Sequence, residues 1–382
     1  MIFAPFDAIF QSRENAVVAL SKAVGTKTRA AAMLQRLDNL SGMIGQTPLL
    51  AIRCRHRGET MTIYAKAEHF NLTGSIKDRM ALAVLRDALA RGRLNEDSII
   101  AEATSGNTGI SLAALARALN LPVRILMPAG MSAERRTLLQ SLGAELVLLE
   151  AADGGMPGAM RRLEAMAAAD PRLFLPRQFA NPSNCACHAD TTAVEVIGQL
   201  EQEGRRADAI VSGIGTGGTI MGLSAGLRRA NPQLAAVPVE SRDAPIFGAD
   251  GVAASGAAGH RIQGWANGFM PAVIDPARLA GPVQVSDADS IAMARMLTRE
   301  LGLAVGLSSG ANFLAALEVQ RQLGPGATVV TVFADDNKKY LSTGCYDPGQ
   351  DASAGRQADG TALLDYRALR CSPQQASSAL AA

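Results

Sequence analysis

Short runs rich in Val, Ile and Leu recur along this chain, and longer stretches follow them in which apolar residues return every three or four positions. The short runs predict strands at Ile63–Ala67, Ser98–Ala103, Val123–Met127, Glu145–Leu149, Ala209–Ile214, Ala235–Val239, Val283–Val285 and Thr328–Phe333. The longer stretches predict helices at Asp78–Ala90, Ile110–Leu119, Ala133–Leu142 and Asp287–Glu300. Strand and helix in alternation imply parallel sheet with helices on both faces. The grouping of strands predicts an α/β protein of two doubly wound subdomains with mostly parallel sheets, residues 41–184 and 185–345. Residues 1–40 read as an N-terminal extension, helical around Ala16–Val24 and Arg29–Leu37. Residues 346–382 read as a flexible, turn-rich C-terminal tail with a short helix at Ala362–Leu369.

Composition narrows the function. Of 382 residues, 48% are hydrophobic, enough for a sizeable core and too many for a disordered chain. Lys plus Arg number 37 and Asp plus Glu 35, so no global field exists to hold a polyanion, and nucleic acid is not an expected partner. The 37 glycines and 4% aromatics suit an enzyme with tight turns. Five scattered cysteines (Cys54, Cys185, Cys187, Cys345, Cys371) do not form a disulfide framework, so a reducing, cytoplasmic setting is expected. No apolar run reaches membrane-spanning length. The N-terminus lacks a basic region before its apolar part, unlike a secretory signal. Residues 20–36 are basic, as in a transit peptide, but Asp7 and Glu14 precede them and argue against one.

Four small-residue turns carry candidate chemistry. In Asn71–Arg79, a Gly/Ser turn feeds a helix near Lys77. The positive end of a helix disfavours the ammonium form, which suits a lysine acting as an amine nucleophile. Thr104–Gly109 (T-S-G-N-T-G) joins a strand to a helix and offers backbone N–H groups to a carboxylate or a phosphate. Gly213–Thr219 (G-I-G-T-G-G-T) offers a second cradle. Gly213, Gly215 and Gly218 also spell the dinucleotide fingerprint, with Glu240 ending the next strand, so a nicotinamide dehydrogenase competes at this point. Gly306–Asn312 (G-L-S-S-G-A-N) opens another helix. Cys185-Ala186-Cys187-His188 has no second ligand pair, so no metal is expected. His56, His69 and His260 fall in no hydrolase triad pattern.

Eight segments, taken in order, carry a resemblance: I-G-Q-T-P-L, K-A-E-H-F-N-L-T-G-S-I-K-D-R, E-A-T-S-G-N-T-G, Q-F-A-N-P-S-N with H-A-D-T-T-A-V-E, G-I-G-T-G-G-T, I-Q-G-W-A-N-G-F, G-L-S-S-G-A and K-K-Y-L-S-T. From Ile44 to Thr343 the chain resembles the cysteine synthase/cystathionine β-synthase family, the fold type II enzymes dependent on pyridoxal phosphate (PLP). The order of the motifs displaces the nicotinamide reading. The resemblance implies PLP in the cleft between the two subdomains. It implies that Lys77 carries PLP as an imine and moves the substrate's α-proton. Asn107 would face the cofactor's ring hydroxyl, Ser308 its pyridine nitrogen, and Gly215, Thr216, Gly217, Gly218 and Thr219 its phosphate. Thr104, Ser105, Thr108, Gln178 and the backbone around Gly106 would bind the substrate carboxylate, and Gly264 would lie near the substrate amine.

A serine at the ring nitrogen leaves the pyridine neutral and the electron sink weak, which favours prompt loss of a β-leaving group. The implied reaction is β-replacement on an O-activated L-serine through an α-aminoacrylate. Its main form is cysteine synthesis from O-acetyl-L-serine and sulfide by a homodimer. Cystathionine formation, O-phosphoserine or thiosulfate chemistry and diamino-acid synthesis are the alternatives. The chain departs from the family pattern at Leu72, Trp265, Asn267, Asp335–Tyr340 and Val239–Phe247, where substrate choice would be set. No C-terminal regulatory domain is expected after Thr343. A non-catalytic role is disfavoured by an intact Lys77, Asn107 and Ser308. The apolar segment Ile2–Phe10 is a candidate for packing across the dimer.

Overall fold

The computed structural model describes residues 29–247, 260–265, 269–347 and 360–371. The expected helix at Ala16–Val24, the interface segment Ile2–Phe10 and Asn267 lie outside them.

In chain order the elements are α1 (Arg29–Ser41), β1 (Leu49–His56), β2 (Glu59–Ala67), α2 (Lys77–Ala90), β3 (Ile99–Ala103), α3 (Asn107–Leu119), β4 (Val123–Pro128) and α4 (Ala133–Ser141). Next come β5 (Glu145–Leu149), α5 (Gly155–Ala169), β6 (Leu173–Phe174), α6 (Pro182–Cys187), a π turn (His188–Thr192), α7 (Ala193–Glu201), β7 (Ala209–Gly213) and α8 (Gly218–Leu227). Last are β8 (Ala235–Ser241), β9 (Val283–Val285), α9 (Asp287–Leu301), α10 (Leu307–Leu323), β10 (Val329–Phe333) and β11 (Thr361–Leu369).

The strands form a seven-stranded sheet, β11-β1-β2-β10-β7-β8-β9, and a four-stranded sheet, β5-β4-β3-β6. All pairings are parallel except β11 with β1 and β1 with β2. Alternation along each strand feeds two cores. Leu50, Ile52 and Cys54 of β1 face α9 and α10, whereas Leu49 and Ala51 face α7 and α8. In the small sheet, Ile100, Ile125 and Met127 pack under α1–α3, and Ala101, Ala103 and Leu126 pack on α5. Each sheet is thus covered on both faces, as expected of a doubly wound protein.

The division at residues 184 and 185 does not follow the sheets. β1 and β2 belong to the large sheet, because β2 pairs in parallel with β10 (Ile63 opposite Val329). After β2 the chain returns to the small-sheet layer at α2 and leaves it after β6. The N-terminal α1 is no loose extension: Met33 and Leu37 are buried in the small-sheet core.

The expected tail helix at 362–369 is instead the strand β11, antiparallel to β1 from Leu49 opposite Leu369 to His56 opposite Thr361. Its Ala and Leu content favours a helix, but β1 presents an otherwise open ladder of backbone donors and acceptors, and pairing satisfies it. Leu363 and Leu369 are each only 9% exposed, and the Leu369 carbonyl accepts from Gln199 Nε2 at 2.9 Å. Ending the chain at Gly360 is therefore expected to cost on the order of 3 kcal/mol, mostly lost apolar burial. Urea unfolding of the truncated chain checks this, and an unchanged midpoint would contradict it.

Candidate active site

The loops at the C-terminal ends of β2, β3, β7 and β10 face one another across the two layers, where open α/β sheets hold their ligands. They enclose a cavity of about 530 Å³. Of the residues singled out by sequence, Lys77, Thr104, Ser105, Asn107, Thr108, Gln178, Gly215, Thr216, Gly217, Thr219, Gly264 and Ser308 line it. Gly106 and Gly218 lie behind their turns, against the side chains of Arg135 and Asn184.

Lys77 is the first residue of α2 and is half-buried on the cavity wall. Burial lowers its pKa, and the charge of Asp335 opposes that shift. The turn before it is tied down locally. Asp78 accepts from the Thr73 backbone N–H at 2.7 Å and from its hydroxyl at 2.6 Å.

A buried ion network braces this helix start. Arg79 contacts Glu68 (2.7 Å) and Glu195 (2.6 Å), and Lys66 contacts Glu195 (2.7 Å). Thr47 donates to Glu68 at 2.7 Å. The K-A-E and K-D-R parts of the lysine motif and the final glutamate of H-A-D-T-T-A-V-E are therefore partly structural.

Across the cavity, Asn107 opens α3 and donates from Nδ2 to Asp335 Oδ2 at 2.7 Å. Its Oδ1 is buried with no hydrogen-bond partner among the described residues. Thr108 donates to Gln178 Oε1 (2.6 Å), and Gln178 Nε2 donates to the Ala103 carbonyl (2.6 Å). Beneath them Glu102 accepts from the backbone N–H groups of Gln178 (3.0 Å) and Ala103 (2.9 Å). Burial pushes Glu102 up from 4.5 to about 7 in spite of those donors. An acid raised on folding stabilises the fold at low pH, and that contribution is lost as pH rises from 4.5 to about 7. The loss is on the order of 3 kcal/mol. Glu102→Gln is expected to remove this slope, so the variant should gain on the parent chain between pH 5 and pH 8 in urea unfolding.

The third turn runs from β7 into α8. Gly217 has φ +86°, a conformation that favours glycine, and caps the helix start. The Gly213 backbone N–H donates to Asn312 Oδ1 at 2.8 Å. Trp265 lies directly on Gly213, where any Cβ would collide with the indole. Ser308 sits in the first turn of α10, 7% exposed.

Several cavity residues had no role assigned from sequence: Gln263, Asn312 and the apolar Met131, Met156, Pro157, Phe179 and Phe269; Asp335 and Tyr340, marked only as a departure from the family pattern, line the cavity as well. Asn312 directly follows the G-L-S-S-G-A motif and was within reach of it. Phe179 and Phe269 stand inside the Q-F-A-N-P-S-N and I-Q-G-W-A-N-G-F segments, whereas Met131, Met156 and Pro157 lie outside any motif. His188 is fully buried, lowered to about 3 by burial, and pairs with Thr192 at 3.0 Å. Burial raises the thiols of Cys185 and Cys187. No metal-binding group occurs among the described residues.

Two doubly wound layers that share one cleft, with a lysine on its wall, form the fold type II architecture. The comparisons agree. Residues 40–335 match the family described as "Pyridoxal-phosphate dependent enzyme". A Staphylococcus aureus cysteine synthase is 36% identical over 311 residues, covering 81% of this chain and 97% of that protein. A hydrogen sulfide-producing enzyme from Fusobacterium nucleatum superposes with TM-score 0.83 at 36% identity, covering 88% of this chain and 99% of that one. An O-acetylserine dependent cystathionine β-synthase from Helicobacter pylori superposes with TM-score 0.72 at 32% identity, covering 80% and 98%. The chain belongs to the cysteine synthase/cystathionine β-synthase family of PLP-dependent enzymes.

The residues present fit this cofactor. The unpartnered Asn107 Oδ1 is a buried acceptor at the cavity wall. A Cβ at Gly215 would approach the Gly264 carbonyl to 2.3 Å, so side chains are excluded where the glycine turn meets the helix N-terminus.

Proposed function

We propose that this chain is a β-replacement enzyme that makes L-cysteine and acetate from O-acetyl-L-serine and sulfide. The observation that supports it is the convergence of Lys77, Asn107, Ser308, the Thr104–Thr108 turn and the Gly215–Thr219 turn on one cavity. Lys77 would hold PLP covalently, Asn107 would face its ring hydroxyl, Ser308 its pyridine nitrogen and the glycine turn its phosphate. Bound there, PLP supplies the electron sink that acidifies the substrate's α-hydrogen. The remaining work falls to the chain. Thr104, Ser105, Thr108, Gln178 and the backbone around Gly106 grip the substrate carboxylate, and Gly264 lies near the amine. Lys77 Nζ takes the α-proton as acetate leaves and returns it after sulfide adds. An amine with a lowered pKa is suited to the first of these steps.

The test is direct. O-acetyl-L-serine added to the yellow holoenzyme should change its visible spectrum with release of acetate. Sulfide should then restore the spectrum and yield L-cysteine. A holoenzyme that ignores O-acetyl-L-serine sinks this donor.

A second reading has one observation in its favour. Trp265, Met131, Met156, Phe179 and Phe269 give the cavity an apolar lining that sulfide does not call for. A carbon-chain thiol such as homocysteine would fill it, and the product would be cystathionine. Supplying each thiol after the donor separates the two readings.

We infer further that the enzyme is a cytoplasmic homodimer. Among the described residues no helix is long and apolar enough to cross a membrane, and the exposed Met43, Phe70 and Leu341 are apolar groups available to a contact between copies.

A further inference from the structure

Asp335 follows β10 and is 1% exposed, yet it reaches the cavity. Its backbone joins the loops that carry Lys77 and Ser308. Asp335 bridges to Ser75, the neighbouring Ala334 carbonyl accepts from the Ile76 N–H at 2.9 Å, and the Asp335 carbonyl accepts from the Gly306 N–H at 2.8 Å. Its side chain joins the third loop. Oδ2 accepts from Asn107 Nδ2 and from the Tyr340 hydroxyl, both at 2.7 Å. Arg135 stands 3.8 Å away and lies over the Tyr340 ring at 4.4 Å. Oδ1 is buried and has no hydrogen-bond partner among the described residues.

A carboxylate oxygen left without a donor in a catalytic cavity is costly unless a donor arrives during function. Asn107 spends one N–H on Asp335, and a carboxylate accepts only, so the amide is locked in one orientation.

We propose that Asp335 is a positioning residue for the reaction: it fixes the Asn107 amide and offsets the positive charge of Lys77 whenever that amine bears a proton. This rests on the proton-transfer role given to Lys77 above. The charge balance is simple. Nζ goes from –NH2 to –NH3+ when it takes the α-proton, and the C–H electron pair stays with the carbon.

The groups that face Lys77 leave this task to Asp335. Cys187 also opposes the lowering of Lys77, but burial keeps its thiol protonated. His188 is held neutral by burial and by Lys77 itself. Around Asp335 the other charges are Arg135, Asp336 and Lys339. Arg135 makes a long ion pair with Asp335 Oδ2 (3.8 Å), and Lys339 is committed to Asp336 (3.5 Å) and the Gly74 carbonyl (2.8 Å).

Two variants test the idea in the holoenzyme. Asp335→Asn keeps the shape and an acceptor for Asn107 but removes the charge. Its donor-driven colour change should reach half-maximal rate at a pH about one unit lower than in the parent. Asp335→Ala also removes the anchor, so its resting visible band should move as well, with no substrate present. KM for the donor should change little, while kcat falls at neutral pH because a less basic amine takes the α-proton less readily. A midpoint in Asp335→Asn equal to the parent's overturns the proposal, even if Asp335→Ala does not fold. A parent holoenzyme that shows no colour change with any O-activated serine defeats the functional reading instead. The resting band of Asp335→Ala then still decides whether Asp335 anchors Asn107, and an unmoved band counts against it.

Discussion

Lys77→Ala is expected to abolish turnover, with kcat down by at least about a thousandfold. Two separate losses combine. The amine that anchors the cofactor is gone, and so is the base that moves the α-proton. Neither has a substitute nearby. Asp335 faces Lys77 but is already engaged through Oδ2 by Asn107 and Tyr340. His188 is buried, held neutral and bonded to Thr192. Lys66 and Arg79 are locked to buried carboxylates. The variant should still fold, because the ion network that braces α2 does not use Lys77. It should bind PLP without the absorption of an imine, and borohydride should no longer fix the cofactor to the chain. Lys77→Arg should be equally inactive, since a guanidinium neither forms the imine nor gives up its proton near neutral pH. A residual rate within tenfold of the parent would defeat the assigned role.

Glu195→Ala should cost about 3–5 kcal/mol of stability, the usual penalty for stranding buried charge. Glu195 is the shared partner of Arg79 and Lys66, and its removal leaves both cations underpaired in a site with almost no solvent. It also accepts from the Gln46 backbone N–H at 3.0 Å. Burial alone would raise this carboxyl. The charges of Arg79 and Lys66 outweigh burial and hold it far below the usual carboxylate range. Glu68 is lowered for the same reason, chiefly by Arg79. A carboxylate depressed on folding contributes stability above its unfolded pKa and loses it as the pH falls through the folded value. The parent should therefore weaken steeply on the acid side of pH 4.5, and Glu195→Ala should show a shallower acid slope from a lower starting stability. Urea unfolding at pH 7 and pH 3.5 reads both numbers. Equal stability at pH 7 would mean that the network contributes nothing net.

Much of this was legible in the sequence. The helices from Asp78, Ile110, Ala133 and Asp287 stand where their periodicity put them, because one face of each must be buried against a sheet. The small-residue turns were legible for a related reason: few sequences join a strand to a helix through several glycines and hydroxyls. β1 was only half visible, since R-C-R-H breaks the apolar run, although pairing on both sides supports it. β11 was misread because its alanines and leucines favour a helix, and nothing local announces a partner strand far upstream. The same non-locality hid Asp335. The Asp335–Tyr340 segment stood out in the sequence only as a departure from the family pattern, and only the fold brings Asp335 against Asn107, Tyr340 and the lysine loop. The sheet membership of β1 and β2 was hidden too, because chain order and spatial order part company there.

The pairing of β1 with β11 has a consequence for how the protein is made. Leu49 lies opposite Leu369, so β1 leaves the ribosome long before the strand that will cover it. Until residues 361–369 emerge, one edge of β1 is an open row of donors and acceptors, the kind of template on which nascent chains aggregate. Arg53 and Arg55, exposed on β1, place charge along that waiting edge and discourage a second chain from docking there. Yield from the cell should thus depend on the pace of late translation, and slow synthesis of the last strand should cost more protein than slow synthesis elsewhere.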